Sequence, residues 1–136
     1  MPRQPSQVPT EVELEILQVL WDNGPSGVRS VHNVLRQRKQ TGYSTTLKMM
    51  QVMLEKGLLL KDESVRPQIY RPAEPQEQTQ LQLVDYLVHK GFAGSAMKLV
   101  LRAADADRIT PEELKQIQKL IEQRKRPQQQ SKGGKR

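Results

Sequence analysis

Within the stretch Tyr43–Gly57, YSTTLKMMQVMLEKG, the side chains able to do chemistry are Ser44, Thr45, Thr46, Lys48 and Gln51. They offer hydroxyls, methyls, a carboxamide and one cation. Such groups read base edges in a DNA groove: Gln pairs with adenine, and the Thr methyl touches the thymine methyl. Arg29, Lys61 and Arg66 lie on either side in the sequence, with charges suited to phosphate oxygens. Ordinary chemistry accounts for the same residues as an amphipathic surface helix with solvated charges around it. The surroundings decide between the two.

Other chemistries find little to work with. There is no cysteine, which removes disulfides, thiolate zinc sites and thiol nucleophiles. The two histidines, His32 and His89, are too few for an evident metal cluster. His32 is expected at the surface or beside a phosphate. The carboxylate pairs Asp105/Asp107 and Glu112/Glu113 have adequate loop or capping explanations, and no nucleophile–base pair or phosphate-cradling glycine loop is visible. No enzymatic activity, metal or cofactor is expected.

The chain has 136 residues, of which 35% are hydrophobic and 4% aromatic, and it carries a formal charge of +7. So few aromatic rings argue against base-stacking RNA platforms. No apolar run reaches the ~20 residues of a membrane span, and the opening MPRQPSQ lacks a signal-peptide apolar region, so a soluble, cytoplasmic protein is expected. The charge is uneven. Residues 24–61 hold Arg29, Arg36, Arg38, Lys39, Lys48, Lys56 and Lys61 against Glu55 alone, whereas residues 1–23 are net acidic. A cationic segment around the polar stretch is the footprint of a phosphate-facing surface.

The elements that must position these residues follow from spacing. Residues 1–8 read as a disordered arm. Thr10 and Glu13 have capping-box spacing and open a helix over 11–22, in which Trp21 serves as a core anchor. Asn23-Gly24-Pro25 ends it. A second helix is expected over 28–38 and a third over 44–56, with Ser44 as its N-cap and Gly57 as its left-handed terminator. Leu47, Met50 and Leu54 fall on the buried face of that third helix. Residues 58–61 and 68–71 read as two strands joined by a polar tip. A helix-turn-helix followed by a hairpin is the winged-helix arrangement, spanning 9–72, in which the third helix enters the major groove. After a linker-like AEPQEQ, three more helices are expected within 73–126, one capped by Ser95 and the last opened by Thr110-Pro111-Glu112-Glu113. A unit this small rarely stabilises itself. The apolar stripes Leu81, Val84, Leu87, Val88 and Leu114, Ile117, Leu120, Ile121 are therefore the expected homodimer interface; packing back on the first domain is the alternative. Residues 127–136 read as a disordered basic tail. The fold class is mainly α with a small β-hairpin wing.

Three segments taken together, Pro9–Leu35, Tyr43–Leu59 and Phe92–Gln123, resemble the penicillinase-repressor family, which includes methicillin-resistance and copper-responsive repressors. The resemblance covers roughly Pro9 to Gln123. It implies a homodimeric winged-helix repressor that binds a palindromic operator and dimerises through its C-terminal helices. Carried onto matching positions, it implies a recognition helix at 44–56 with Ser44, Thr45, Thr46, Lys48 and Gln51 as the contact set, and Arg66 as the wing contact. The copper-responsive branch uses paired C-terminal cysteines, which are absent here. The antibiotic-responsive branch is cleaved at an Asn-Phe bond, for which the equivalent is Arg102-Ala103. A regulatory protease enters as a partner only through that resemblance, and the departure at this bond counts against it.

The expected function is operator-binding repression, with double-stranded DNA and a second copy of the chain as partners and no membrane. The competing readings are a non-specific, nucleoid-type nucleic-acid-binding protein and a protein-interaction module built on the same fold.

Overall fold

The computed structural model describes the backbone of residues 8–135 and side chains through Lys125. The expected N-terminal arm falls outside it except for Val8. Five elements form the first part: α1 (Glu11–Asn23), α2 (Val28–Leu35), α3 (Tyr43–Lys56), β1 (Leu59–Asp62) and β2 (Ile69–Pro72). Then follow α4 (Gln76–Gly91), α5 (Ala96–Asp105) and α6 (Pro111–Lys135). The chain divides into two compact units within α4, between Leu87 and Val88. The fold is mainly helical, with three helices leading into a two-stranded hairpin and further helices after it.

Local chemistry explains the helix ends. Thr10 Oγ1 accepts from the Glu13 amide at 3.2 Å and Glu13 Oε1 accepts from the Thr10 amide at 2.8 Å, which is the capping box the spacing predicts. Thr110 and Glu113 repeat the arrangement at the start of α6, and Ser95 caps α5. Gly57 takes φ +84°, and the Leu58 amide then reaches back to the Met53 carbonyl at 2.9 Å, closing α3.

Two boundaries differ from the sequence expectation. The N-cap of α3 is Gly42, not Ser44, because the Gly42 carbonyl already accepts from the Thr46 amide; Ser44 lies in the first turn, exposed. The second helix stops at Leu35 rather than Arg38. Beyond it, Gln37 and Arg38 donate to carbonyls three residues back, the tighter closure common at helix ends. The backbone of α6 runs helical through Lys135, across the segment read as a disordered tail, whose side chains lie outside the described ones.

In the first unit, Ile16, Leu17, Val19 and Leu20 of α1 meet Val31 and Leu35 of α2 and Met50 and Met53 of α3; Leu58, Leu59 and Tyr70 close the core from the hairpin side. Leu47 and Leu54 are only partly buried, and Met53 joins Met50 at the centre. Trp21 sits at the edge of this core, its indole N–H 3.4 Å from the Glu74 carbonyl. The hairpin pairs antiparallel, Leu59 with Pro72 through Asp62 with Ile69. Ser26, in the α1–α2 connection, exchanges two backbone hydrogen bonds with Tyr70 and ties the hairpin to the helices.

The second unit is different. No residue of α5 is buried, and Met97 is 64% exposed. Leu114, Leu120 and Ile121 of α6 are each about half exposed. Val88 at the start of the unit is the exception, only 8% exposed.

Candidate nucleic-acid interface

The outward face of α3 is built by the inward one. With Met50 and Met53 turned into the core, residues 44, 48, 51 and 55 follow one another at i, i+4, i+7 and i+11 along the opposite side. Ser44, Thr45, Lys48 and Gln51 are all exposed there. None of these side chains makes a hydrogen bond or ion pair within the described residues. A row of uncommitted hydroxyls, a cation and an amide, with the exposed Glu55 carboxylate at its far end, can meet a polar ligand without first breaking internal contacts.

Thr46 does not belong to that row, and its expected contact with DNA bases is corrected. It is 2% exposed, with its hydroxyl 3.2 Å from His32 Nδ1 and 3.5 Å from the Gly42 carbonyl. Three consecutive hydroxyl residues on a helix point about 100° apart, so one of them had to face inward. His32, expected at the surface or beside a phosphate, is 7% exposed. Its ring meets Tyr43 edge-on, with centroids 5.7 Å apart, while the Arg29 guanidinium lies over the Tyr43 ring at 4.5 Å. Arg29, His32 and Tyr43 thereby join α2 to the first turn of α3. Nothing in the sequence alone marks Tyr43 for this role, because its partners Arg29 and His32 lie more than ten residues earlier.

This joint makes a prediction. Thr46→Val keeps the volume but leaves the buried His32 Nδ1 without its partner. Thermal or urea unfolding should find a loss of about 1–3 kcal/mol, the penalty for orphaning a buried polar group. Thr46→Ser, which keeps the hydroxyl, should lose less.

The cations divide into two groups. Lys39 pairs with Glu15 at 2.8 Å, Lys56 with Glu13 at 2.7 Å and Lys61 with Glu63 at 3.1 Å. Lys61 is therefore partly committed within the hairpin. Arg36, Arg38 and Lys48 have no carboxylate partner among the described residues, and Arg66 is exposed at the hairpin tip. The tip is ordered by Asp62, whose carboxylate accepts from the Ser64 hydroxyl at 2.6 Å and amide at 2.9 Å. Those bonds, the hydroxyl first, hold the Asp62 pKa below its ordinary value.

Of the expected dimer residues, Leu81, Val84 and Leu87 on α4 and Leu114, Leu120 and Ile121 on α6 are exposed. Ile117 is half-buried. Val88 is corrected: burial within its own chain leaves it little surface to offer a partner. At the bond equivalent to the protease site, Arg102 pairs with Asp105 at 2.9 Å in the body of α5.

Three helices leading into a two-stranded antiparallel hairpin, with a polar outward face on the third helix, are consistent with a winged helix. The model of one family, penicillinase repressor, matches residues 9–123. The chain belongs to the penicillinase-repressor family, whose members are transcriptional regulators rather than enzymes. No curated protein matches the sequence. Among the described residues, no helix is long and apolar enough to cross a membrane, and no group of His, Cys, Asp or Glu is placed to hold a metal ion.

Proposed function

We propose that the protein is a cytoplasmic, homodimeric repressor that occupies an inverted-repeat operator, with α3 in the major groove and the β1–β2 hairpin against the adjacent backbone. The observation that carries this reading is the uncommitted row Ser44, Thr45, Lys48 and Gln51 on a helix anchored from behind. In this reading Gln51 addresses a base edge, Lys48 and Arg66 meet phosphates, and Arg29 both braces Tyr43 and adds positive charge. Lys61 contributes less because Glu63 competes for it. Repression follows from occupying promoter DNA and requires no catalytic step.

The second copy is supported by the C-terminal helices. Nearly all of the buried apolar core lies between Ile16 and Tyr70, whereas α5 and α6 leave their large apolar side chains exposed. An open, mainly apolar groove lined by Ile109, Ile117 and Leu120 runs along the start of α6. Helices that bury so little by themselves need a partner, and a two-fold pairing also doubles the length of DNA that is read. Half-sites would then lie ~34–36 Å apart, one helical turn.

Two variants test the assignment on a duplex selected by the protein from a random pool. Gln51→Ala should lose about 1–3 kcal/mol of preference for the selected duplex over a scrambled one. Lys48→Ala should weaken binding to both and make the salt dependence shallower by about one counterion. If neither variant differs from the parent across a salt series, α3 is not the reading helix. Equal affinity for selected and scrambled duplexes would favour the nucleoid-type reading instead.

A further inference from the structure

The turn between α2 and α3 carries a second polar site, separate from the outward row of α3. Arg36, Lys39, Gln40, Thr41 and Gly42 surround an open basin that the nearly buried His32 also lines. Within the protein the His32 ring is held at Nδ1 by Thr46 and on its edge by Tyr43. Its Nε2 has no protein partner among the described residues. Among the described residues no fully buried side-chain nitrogen or oxygen is left unpaired, so Nε2 keeps some contact with solvent, and the basin is the open space that His32 lines.

The electrostatics of the basin are positive. Lys39 is offset in part by Glu15, but Arg36 is exposed and has no carboxylate partner among the described residues. Gly42, as N-cap of α3, has no side chain to satisfy the first-turn amides, and those amides carry the positive end of the helix dipole. The tautomer of His32 is linked to this environment. Thr46 Oγ1 is closer to His32 Nδ1 than to the Gly42 carbonyl. When the hydroxyl donates to Nδ1, the neutral ring carries its proton on Nε2, as a donor toward the basin.

We propose that this basin binds a phosphate oxyanion, held by the Arg36 guanidinium and the Nε2–H of His32, with the uncapped amides of α3 adding to the field. The phosphate has two sources: the backbone of the bound duplex, which rests on the operator-binding reading, and a free phosphorylated small molecule, which does not. In either case the oxyanion fixes the His32 tautomer, and through Thr46 and Tyr43 it fixes the start of the reading helix.

Two measurements on the full chain separate these cases. In the first, inorganic phosphate is titrated into the labelled protein while the Gly42 and Tyr43 amides and the His32 ring are followed by NMR. Saturable shifts are expected, with affinity weakened about tenfold in Arg36→Gln, an exposed substitution that leaves the core untouched. His32→Asn, which keeps a polar group near Nδ1 but removes Nε2, should weaken it similarly. In the second, single methylphosphonate linkages are placed through the selected duplex. One linkage in each half-site should weaken the parent about tenfold and Arg36→Gln by no more than about twofold. A linkage coupled to Arg36 identifies the duplex backbone as the source. Phosphate shifts without any coupled linkage support the site with a free phosphorylated molecule as its ligand. The absence of both phosphate shifts and a coupled linkage would overturn the site, even with duplex preference intact and the operator reading standing. Phosphate shifts in a protein indifferent to duplex sequence would leave the site in place and remove the operator reading.

Discussion

Replacing Leu120 and Ile121 together by Glu is expected to convert the protein to a monomer at micromolar concentration and to lower its affinity for the selected duplex by about 10²–10⁴-fold. That range is what joining two binding modules adds when both can engage at once. The substitution separates interface from fold because both side chains are about half exposed in the single chain. Surface replacements of that kind usually alter the stability of the subunit by less than about 0.5 kcal/mol. A partner that covers Leu120 and Ile121 would instead have to bury two carboxylates, at several kcal/mol. Sedimentation velocity reads the mass, and a fluorescence titration on one-half-site and two-half-site duplexes reads the affinity. The unfolding of the first unit should be unchanged, since its core lies between Ile16 and Tyr70. Helicity should fall, because α5 and α6 have almost no buried surface of their own. A variant that sediments as a dimer and binds like the parent would rule out this stripe as the interface.

Short-range signals in the sequence were reliable where both partners of a contact are close along the chain. The Thr10–Glu13 and Thr110–Glu113 boxes are three-residue relationships, and Gly57 needs only its own φ. The hairpin was legible within a residue at each strand because its two runs flank a polar tip. Longer contacts escaped. The period of α3 places Thr46 on the inward face, four residues before Met50 and seven before Met53, but the polar partner that lets a hydroxyl be buried there is His32, fourteen residues earlier. The start of α3 is hidden from the sequence by another distant contact: Ser44 resembles a cap, yet Gly42 precedes a turn held by Tyr43 against α2. Charge counting along the chain also misleads. Lys39 and Lys56 belong to the basic segment in sequence, but in space they meet Glu15 and Glu13 of α1, which belong to the acidic one. The free positive charge of the folded unit is thus smaller than the segment total and includes Arg29, Arg36, Arg38 and Lys48, joined by Arg66 at the hairpin tip.

Glu13 shows how much one such long-range pairing carries, and Glu13→Ala should be among the most destabilising single changes outside the apolar core. The carboxylate is 2% exposed, and its two oxygens are divided between distant tasks. Oε1 completes the capping box with the Thr10 amide, and Oε2 accepts from Lys56 Nζ at the far end of α3. Thr10 Oγ1 also accepts from the Glu13 amide, a bond that survives in the variant. Losing the Oε1 half of the box and a charge-assisted bond, and opening a small void, amounts to about 2–4 kcal/mol. The figure stays below that for a fully buried ion pair because the Lys56 side chain is 47% exposed and water can take it back. Glu13→Gln, which preserves shape and one acceptor, should lose less. Burial works to raise the Glu13 pKa, but the bond from Lys56, the Thr10 amide and the Lys56 charge outweigh it and bring the value below the ordinary 4.5. A folded-state pKa below the unfolded one contributes stability that is complete above the unfolded value and is lost as pH falls through the folded one. The gap between parent and Glu13→Ala should therefore be widest above about pH 5 and narrow below 4.5, as the parent loses an advantage the variant never had. Urea unfolding of both proteins at a series of pH values measures that gap directly. A gap that stays constant down to the acid limit would mean that neither the Lys56 pairing nor the capping bond depends on the carboxylate charge, and that the effect of Glu13 is packing and neutral hydrogen bonding alone.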